Sequence, residues 1–353
     1  MITRYLESRS NHYGLFIFLI IWSPNELLLT VILLLKVCAY KDGKVIIDSA
    51  AGVLGEDDPR PVRPDTLFPV FSATKGITTA LLHWLVDKGK VKLDENVANV
   101  WPGFGTNGKE HIKVHHVLNH TSGLHNALGK SWLENASLIC DWDKCLSEIA
   151  TSVPETEPGR EQWYHYSSFG WLCGGVIEPF LGSHPHIPTI HSENNSTNQK
   201  QNKDVAPPFK YNEDDTEINK NFGNGTNTGL AGNRISTYSD SVISLGEGSG
   251  KGNAIRIFKD PRIHDAFLGV GEYEDMVLKN GEFGLGFKRW SSNDGFFVGF
   301  GHRGFGGSTG FCHIPSRFAV AVTVNRLSIS GAASRKIIQF LSSELNIPLP
   351  EEL

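Results

Sequence analysis

Ser72 and Lys75 stand three residues apart in the stretch Phe71-Ser72-Ala73-Thr74-Lys75-Gly76. Positions i and i+3 of a helix share one face, one above the other. A lysine amine at that spacing comes within reach of a serine hydroxyl. Serine is a weak nucleophile at neutral pH because almost none of it is ionised. A neighbouring amine takes its proton only if burial or a second positive charge keeps that amine partly neutral. The spacing alone is a weak signal, since Ser-x-x-Lys recurs by chance, but the flanks strengthen it. Asp65 to Phe71 reads as an extended apolar run entering the motif. Gly76 to Val86 is rich in Leu, Ile, Ala and Trp and reads as a helix closing near Asp87-Lys88-Gly89. A serine at the head of an apolar helix lies where the helix N-terminus favours a developing oxyanion.

Two further groups carry polar chemistry, Tyr166-Ser167-Ser168 and His302-Arg303-Gly304. Taken singly, Tyr166 reads equally as a core aromatic beside Trp163 and Tyr164, and His302 as a turn residue beside Gly301. The histidines of His115 to His125 lack the i, i+4 pair with a carboxylate that zinc hydrolases use. A helix ending in a Thr-Ser-Gly turn accounts for that stretch better. The five cysteines, Cys38, Cys140, Cys145, Cys173 and Cys312, match no zinc or disulfide framework. They read as reduced, partly buried thiols.

The elements that must position these groups emerge along the chain. At 353 residues, with 40% apolar and 20% charged residues and a net charge of −5, the sequence suits a globular protein with a substantial core. The charge offers nothing to nucleic acid or to an anionic membrane surface. Residues 1–36 form a hydrophobic N-terminal segment whose apolar runs, Leu15–Trp22 and Leu27–Leu35, flank Ser23-Pro24-Asn25-Glu26. Glu26 costs about 2.5 to 3.5 kcal/mol in a bilayer, which the surrounding apolar residues outweigh. Geometry argues the other way, because Lys36 alone separates this segment from a first strand at Val37. Two placements follow: membrane association through residues 15–35, or a soluble intracellular protein with a hydrophobic segment packed on its sheet.

Residues 37–182 carry the first part of the main domain, opening with a hairpin turned at Asp42-Gly43. Leu172 to Leu181 reads as a short buried helix. Residues 183–252 change character to Asn, Ser, Thr, Lys, Asp and Pro, a composition that buries too little to offset its ordering entropy. Residues 253–353 hold the C-terminal part. Four strands are expected there, from Phe283, Gly295, Ser308 and Phe318, with short turns that make an antiparallel meander. The last is apolar throughout and should be central. The stripe Ile337, Ile338, Phe340, Leu341 and Leu345 predicts a helix packed back on the sheet. The expected class is α+β, with an antiparallel sheet made by the two ends of the chain and flanked by helices.

Phe71-Ser-Ala-Thr-Lys, Leu118-Asn-His-Thr-Ser-Gly-Leu, Pro158-Gly followed by Tyr166-Ser-Ser-Phe-Gly-Trp, and Gly301-His-Arg-Gly-Phe-Gly-Gly-Ser occur in this order. Together they resemble the serine β-lactamase and penicillin-binding-protein superfamily, in its class C-like and esterase-like branch, and most of all its plant-type β-lactamase-related members. The resemblance runs from about Val37 to Glu178 and again from about Asp265 onward. It implies a β-lactamase/transpeptidase-like fold. It makes Ser72 the acylated nucleophile, Lys75 the group that eases proton transfer, and Tyr166 a general base whose phenol the lysine charge acidifies. It places Ser168, His302, Gly304 and Phe305 around the substrate, with the N–H groups of Ser72 and Phe305 as oxyanion hole. It calls for no cofactor and no metal, and for a small ester or amide as substrate.

Two departures stand out. Ser168 occupies a position where the family usually has asparagine. After Glu178 the chain runs almost directly into the polar tract, where relatives have a long helical segment roofing the site, so the helical part is reduced. A wetter cleft would weaken the electrostatics that activate Lys75. Two functions are therefore in view: a serine hydrolase working through an acyl-serine, and a catalytically impaired relative that binds or scaffolds.

Overall fold

Asp42 and Gly43 both take left-handed backbone, with φ of 52° and 75°, and fold strand β1 (Leu34–Lys41) onto β2 (Lys44–Gly52) in antiparallel register. A two-residue turn with both central φ positive matches the twist of the strands it joins. The computed structural model describes residues 34–55, 57–181, 257–325, 331–350 and 353. The hydrophobic segment and membrane association expected for residues 15–35 fall almost wholly outside them, as does the polar tract at 183–252. Leu34, Leu35 and Lys36 lie inside β1 rather than before it, since they pair with Gly52, Ala51 and Ala50. Among the described residues, no helix is long and apolar enough to cross a membrane.

In chain order the helices of eight residues or more and the remaining strands are α1 (Thr74–Asp87), α2 (Trp142–Thr151), α3 (Phe169–Ile177), β3 (Phe283–Gly284), β4 (Phe287–Ser291), β5 (Phe297–Arg303), β6 (Thr309–His313), β7 (Phe318–Val324) and α4 (Ala332–Glu344). They fall into two compact bodies. One comprises the described residues up to Ala73 and from Arg303 onward, and the other Thr74 to Leu181 with Ile257 to His302.

In the first body β7 lies between β1 and β6, antiparallel to both. Its apolar sequence therefore does mark a central strand. Leu35, Val37 and Ala39 stand opposite Val324, Val322 and Val320, and all six are buried. Cross-strand apolar pairs of this kind are the unit of sheet stability. Helix α4 packs on β7 and buries Ile337, Ile338 and Leu341, as the stripe predicts.

The second body has a helical core in which Leu82 and Leu85 of α1, Cys145 and Ile149 of α2, and Phe169, Leu172, Cys173 and Val176 of α3 are buried together. Burying each large side chain contributes on the order of 1.5–3 kcal/mol. Here β3, β4 and β5 pair in sequence. The single strand expected from Phe283 is broken at Leu285 and Gly286, with φ of 20° and 99°. The break serves α1. Its Thr79 hydroxyl donates to the Gly286 carbonyl at 3.3 Å and His83 Nε2 donates to the Leu285 carbonyl at 2.9 Å. A Cβ on Gly286 would lie 2.4 Å from Thr79. Of the thiols expected to be partly buried, Cys140 is exposed.

Candidate active site

Ser72 sits in a 3₁₀ turn, Phe71–Ala73, that runs straight into α1. The turn is tight: Ala73 N–H donates to the Val70 carbonyl at 3.1 Å, and Phe71 is held at φ 46°. A non-glycine residue in that region costs of order 1–3 kcal/mol and persists only where its surroundings over-determine it. Those surroundings are visible in the first body. The Phe71 ring meets the Phe305 ring edge-on at 5.9 Å. Gly304 comes so close to the same turn that a Cβ there would lie 2.1 Å from the Val70 carbonyl oxygen. Only glycine fits. The turn carrying Ser72 and the Gly304-Phe305 segment are thus built as one unit, and Ser72 itself keeps part of its surface exposed.

Lys75 lies in the first turn of α1, in the second body. Its amine donates to the main-chain oxygen of Tyr166 at 3.1 Å and lies 5.1 Å from the centre of the Tyr164 ring. Burial pushes its pKa down from 10.5 to about 8, with Cys173 opposing the shift. At pH 7 about a tenth of this lysine is then free amine.

The Tyr166 side chain is 57% exposed, and its ring meets Tyr164 edge-on at 5.6 Å. His302 is buried, with its ring 6.1 Å from Tyr164 and 5.8 Å from Phe283. Ser168 is wholly enclosed, and its hydroxyl donates to the Leu124 carbonyl at 2.8 Å. Instead of facing a cleft it ties the start of α3 to the Leu124 loop. A shorter side chain than asparagine, with a single donor, is satisfied there by one carbonyl.

Three residues around Lys75 escape the sequence reading. Tyr164 is the aromatic face beneath the amine, and only its i, i+2 relation to Tyr166 in an extended segment hinted at a shared face. His120 and His165 flank the same segment. His120 Nδ1 accepts the His165 N–H at 3.1 Å, and burial drives both rings well below their usual pKa. Among the described residues no three His, Cys, Asp or Glu side chains gather as a metal-binding group.

The stretch from 33 to 184 matches the model of the Beta-lactamase family. The chain's fold is that of the beta-lactamase/transpeptidase group. A solved family VIII carboxylesterase superposes with a TM-score of 0.58 at 22% identity, over 84% of this chain and 88% of that one. A penicillin-binding protein homologue from Caulobacter crescentus superposes at 0.57 with 21% identity, over 92% and 95% of the two chains. At such identities the likeness concerns the fold. Among curated proteins the chain is 33% identical over 143 residues to the esterase/beta-lactamase LipL of Mycobacterium tuberculosis, a match spanning 40% of this chain and 32% of that protein. The chain thus spans about a third of that relative's length.

Proposed function

We propose that this chain is a serine hydrolase of the beta-lactamase-related family that cleaves a small ester or amide through an acyl-serine intermediate. Ser72 is the nucleophile. Its proton passes to the neutral Lys75 amine, with the Tyr166 phenol as partner in the transfer, while the Ser72 oxygen bonds to the acyl carbon. The tetrahedral oxygen that develops is held by the N–H groups of Ser72 and Phe305. The proton then goes to the departing alcohol or amine, and water releases the acyl group by the reverse sequence. His302 and Gly304 border the substrate.

One observation carries this reading: an amine three residues after Ser72, half-enclosed and tuned to about 8. A purely structural lysine has no need of such an environment, and a proton acceptor does. The relatives named esterase, and the close fit of Gly304 against the turn before Ser72, support it. The test is labelling of the intact chain with a fluorophosphonate, followed by peptide mapping. Label on Ser72, lost in Ser72→Ala, is expected; an unlabelled Ser72 in folded protein removes the proposal.

A second reading, an impaired relative that binds or scaffolds, draws on Ser168. With its hydroxyl spent on the Leu124 carbonyl, the polar group that orients substrate in relatives is missing. Turnover of a simple aryl ester that disappears in Ser72→Ala would dismiss this alternative.

A further inference from the structure

The segment that holds Lys75 is itself held by a buried hydrogen-bonded frame. His165 has no exposed surface, nor has Ser122. His165 Nδ1 lies 2.7 Å from the Trp163 carbonyl, and its Nε2 lies 2.6 Å from the Ser122 hydroxyl. A carbonyl only accepts, so Nδ1 carries the proton and donates. Nε2 is then the acceptor, and the Ser122 hydroxyl donates to it. The same chain of logic fixes His120. Its Nδ1 accepts the His165 N–H at 3.1 Å, and its own carbonyl accepts the Trp163 N–H at 2.9 Å. Its ring is packed between those of Tyr164, Phe169 and Phe283, at 4.8, 4.8 and 4.6 Å. Gly159 N–H closes the frame on the Thr121 carbonyl at 2.8 Å.

A serine hydroxyl donating to a histidine whose far nitrogen is anchored has the form of a nucleophile and its base. Total enclosure of both groups bars that use, since no acyl carbon can reach Ser122. The arrangement does something else. Every bond in it ends on residues 159 to 165, the run leading directly to the Tyr166 carbonyl that accepts from Lys75.

We propose that Ser122 and His165 are positioning residues: they clamp the Trp163–Tyr166 main chain, so that its carbonyl and the Tyr164 ring enclose the Lys75 amine at a fixed distance. The clamp rests on the serine-hydrolase reading for its catalytic meaning. Because the depression of Lys75 comes from burial, a loosened 163–166 segment admits water to the amine and returns it toward an ordinary lysine. Groups near the amine include Tyr164, Cys173, His120 and His165. Burial holds His165 near 4, His120 well below its usual value, and the Cys173 thiol high. None of these three changes charge where Lys75 does.

Competitive trace acetylation of the intact chain between about pH 6 and 10, with the Lys75 peptide quantified by mass spectrometry, reads the midpoint of that amine directly. Ser122→Ala should raise it by about half a unit, roughly threefold less free amine at pH 7. Ser122→Thr, which keeps the hydroxyl, should restore it. Should Ser122→Ala fail to fold, His165→Asn keeps the donor to Trp163 and loses the acceptor for Ser122, and the same rise is expected. A midpoint that stays put while the melting temperature falls overturns the clamp, leaving Ser122 and His165 as ordinary core bonds. The midpoint is read whether or not Ser72 takes a fluorophosphonate, so failure of the hydrolase reading and failure of the clamp are told apart.

Discussion

Lys75 Nζ donates to the backbone oxygen of Tyr166, not to its phenol, at 3.1 Å. A carbonyl acceptor favours the charged amine, and so does the Tyr164 face beneath it. Enclosure works the other way and dominates, leaving the amine near 8. The balance matters because a fully charged lysine accepts no proton and a deeply buried neutral one gives none back.

The pH dependence of Ser72 labelling follows from that balance. Acylation needs the free amine, so its rate should climb with pH, nearly tenfold per unit well below the midpoint, and level off above about 8. Pseudo-first-order labelling with a fluorophosphonate at a series of pH values gives the curve. A rate that does not change between about pH 6 and 9 is incompatible with Lys75 as proton acceptor.

Lys75→Met should separate activity from stability. The folded pKa lies below the 10.5 of an exposed lysine, so the unfolded chain binds more protons between the two values. The folded state bears the full cost of its buried cation below about 8, and the cost fades as pH rises toward 10.5. Discounted for partial exposure, Lys75→Met should stabilise the protein by roughly 1–2 kcal/mol at pH 7. Urea unfolding at pH 7 and pH 10 should show this advantage shrinking, and labelling of Ser72 should fall by about 10² or more.

Tyr166→Phe and Ser168→Ala form a contrasting pair. The first removes the phenol and keeps the carbonyl that Lys75 uses, so labelling should drop by about 10²–10⁴ with little change in melting temperature. The second strips the Leu124 carbonyl of its donor inside the core and should cost about 1–3 kcal/mol, with labelling per folded molecule nearly unchanged. Reversal of the pattern would return Ser168 to the substrate and take Tyr166 away from it.

Gly304→Ala should be severe for its size. The added methyl meets the Val70 carbonyl at 2.1 Å and must push the Ser72 turn or the Gly304-Phe305 segment aside. A loss of about 1–3 kcal/mol is expected from overpacking, together with a tenfold or greater drop in labelling as the oxyanion donors shift. Gly310→Ala, which meets nothing within 4 Å, is the control and should leave both unchanged.

What was legible in the sequence is what local pattern determines. The Asp42-Gly43 hairpin, the central β7 and the stripe of α4 follow from turn chemistry and apolar spacing. Lys75 and the Tyr166 segment, singled out by motif type, do meet in the structure. Illegible features were those set by a distant partner. The break at Leu285 and Gly286 exists because Thr79 and His83 of α1 need those carbonyls, and nothing within Phe283 to Arg289 announces it. Ser168 looked like a substrate ligand because its neighbours do. Its burial depends on the Leu124 loop, more than forty residues earlier.

The antiparallel match of Leu35–Lys41 with Phe318–Val324 sets a schedule for biogenesis. Strand β1 cannot find its inner neighbour β7 until about 280 further residues have followed it from the ribosome. At ~5–20 residues per second that is a wait of some tens of seconds. Throughout it Leu35, Val37 and Ala39 have only β2 beside them, a sticky edge that invites pairing with a sister chain, so expression at lower temperature or with holdase chaperones should improve the yield of folded protein.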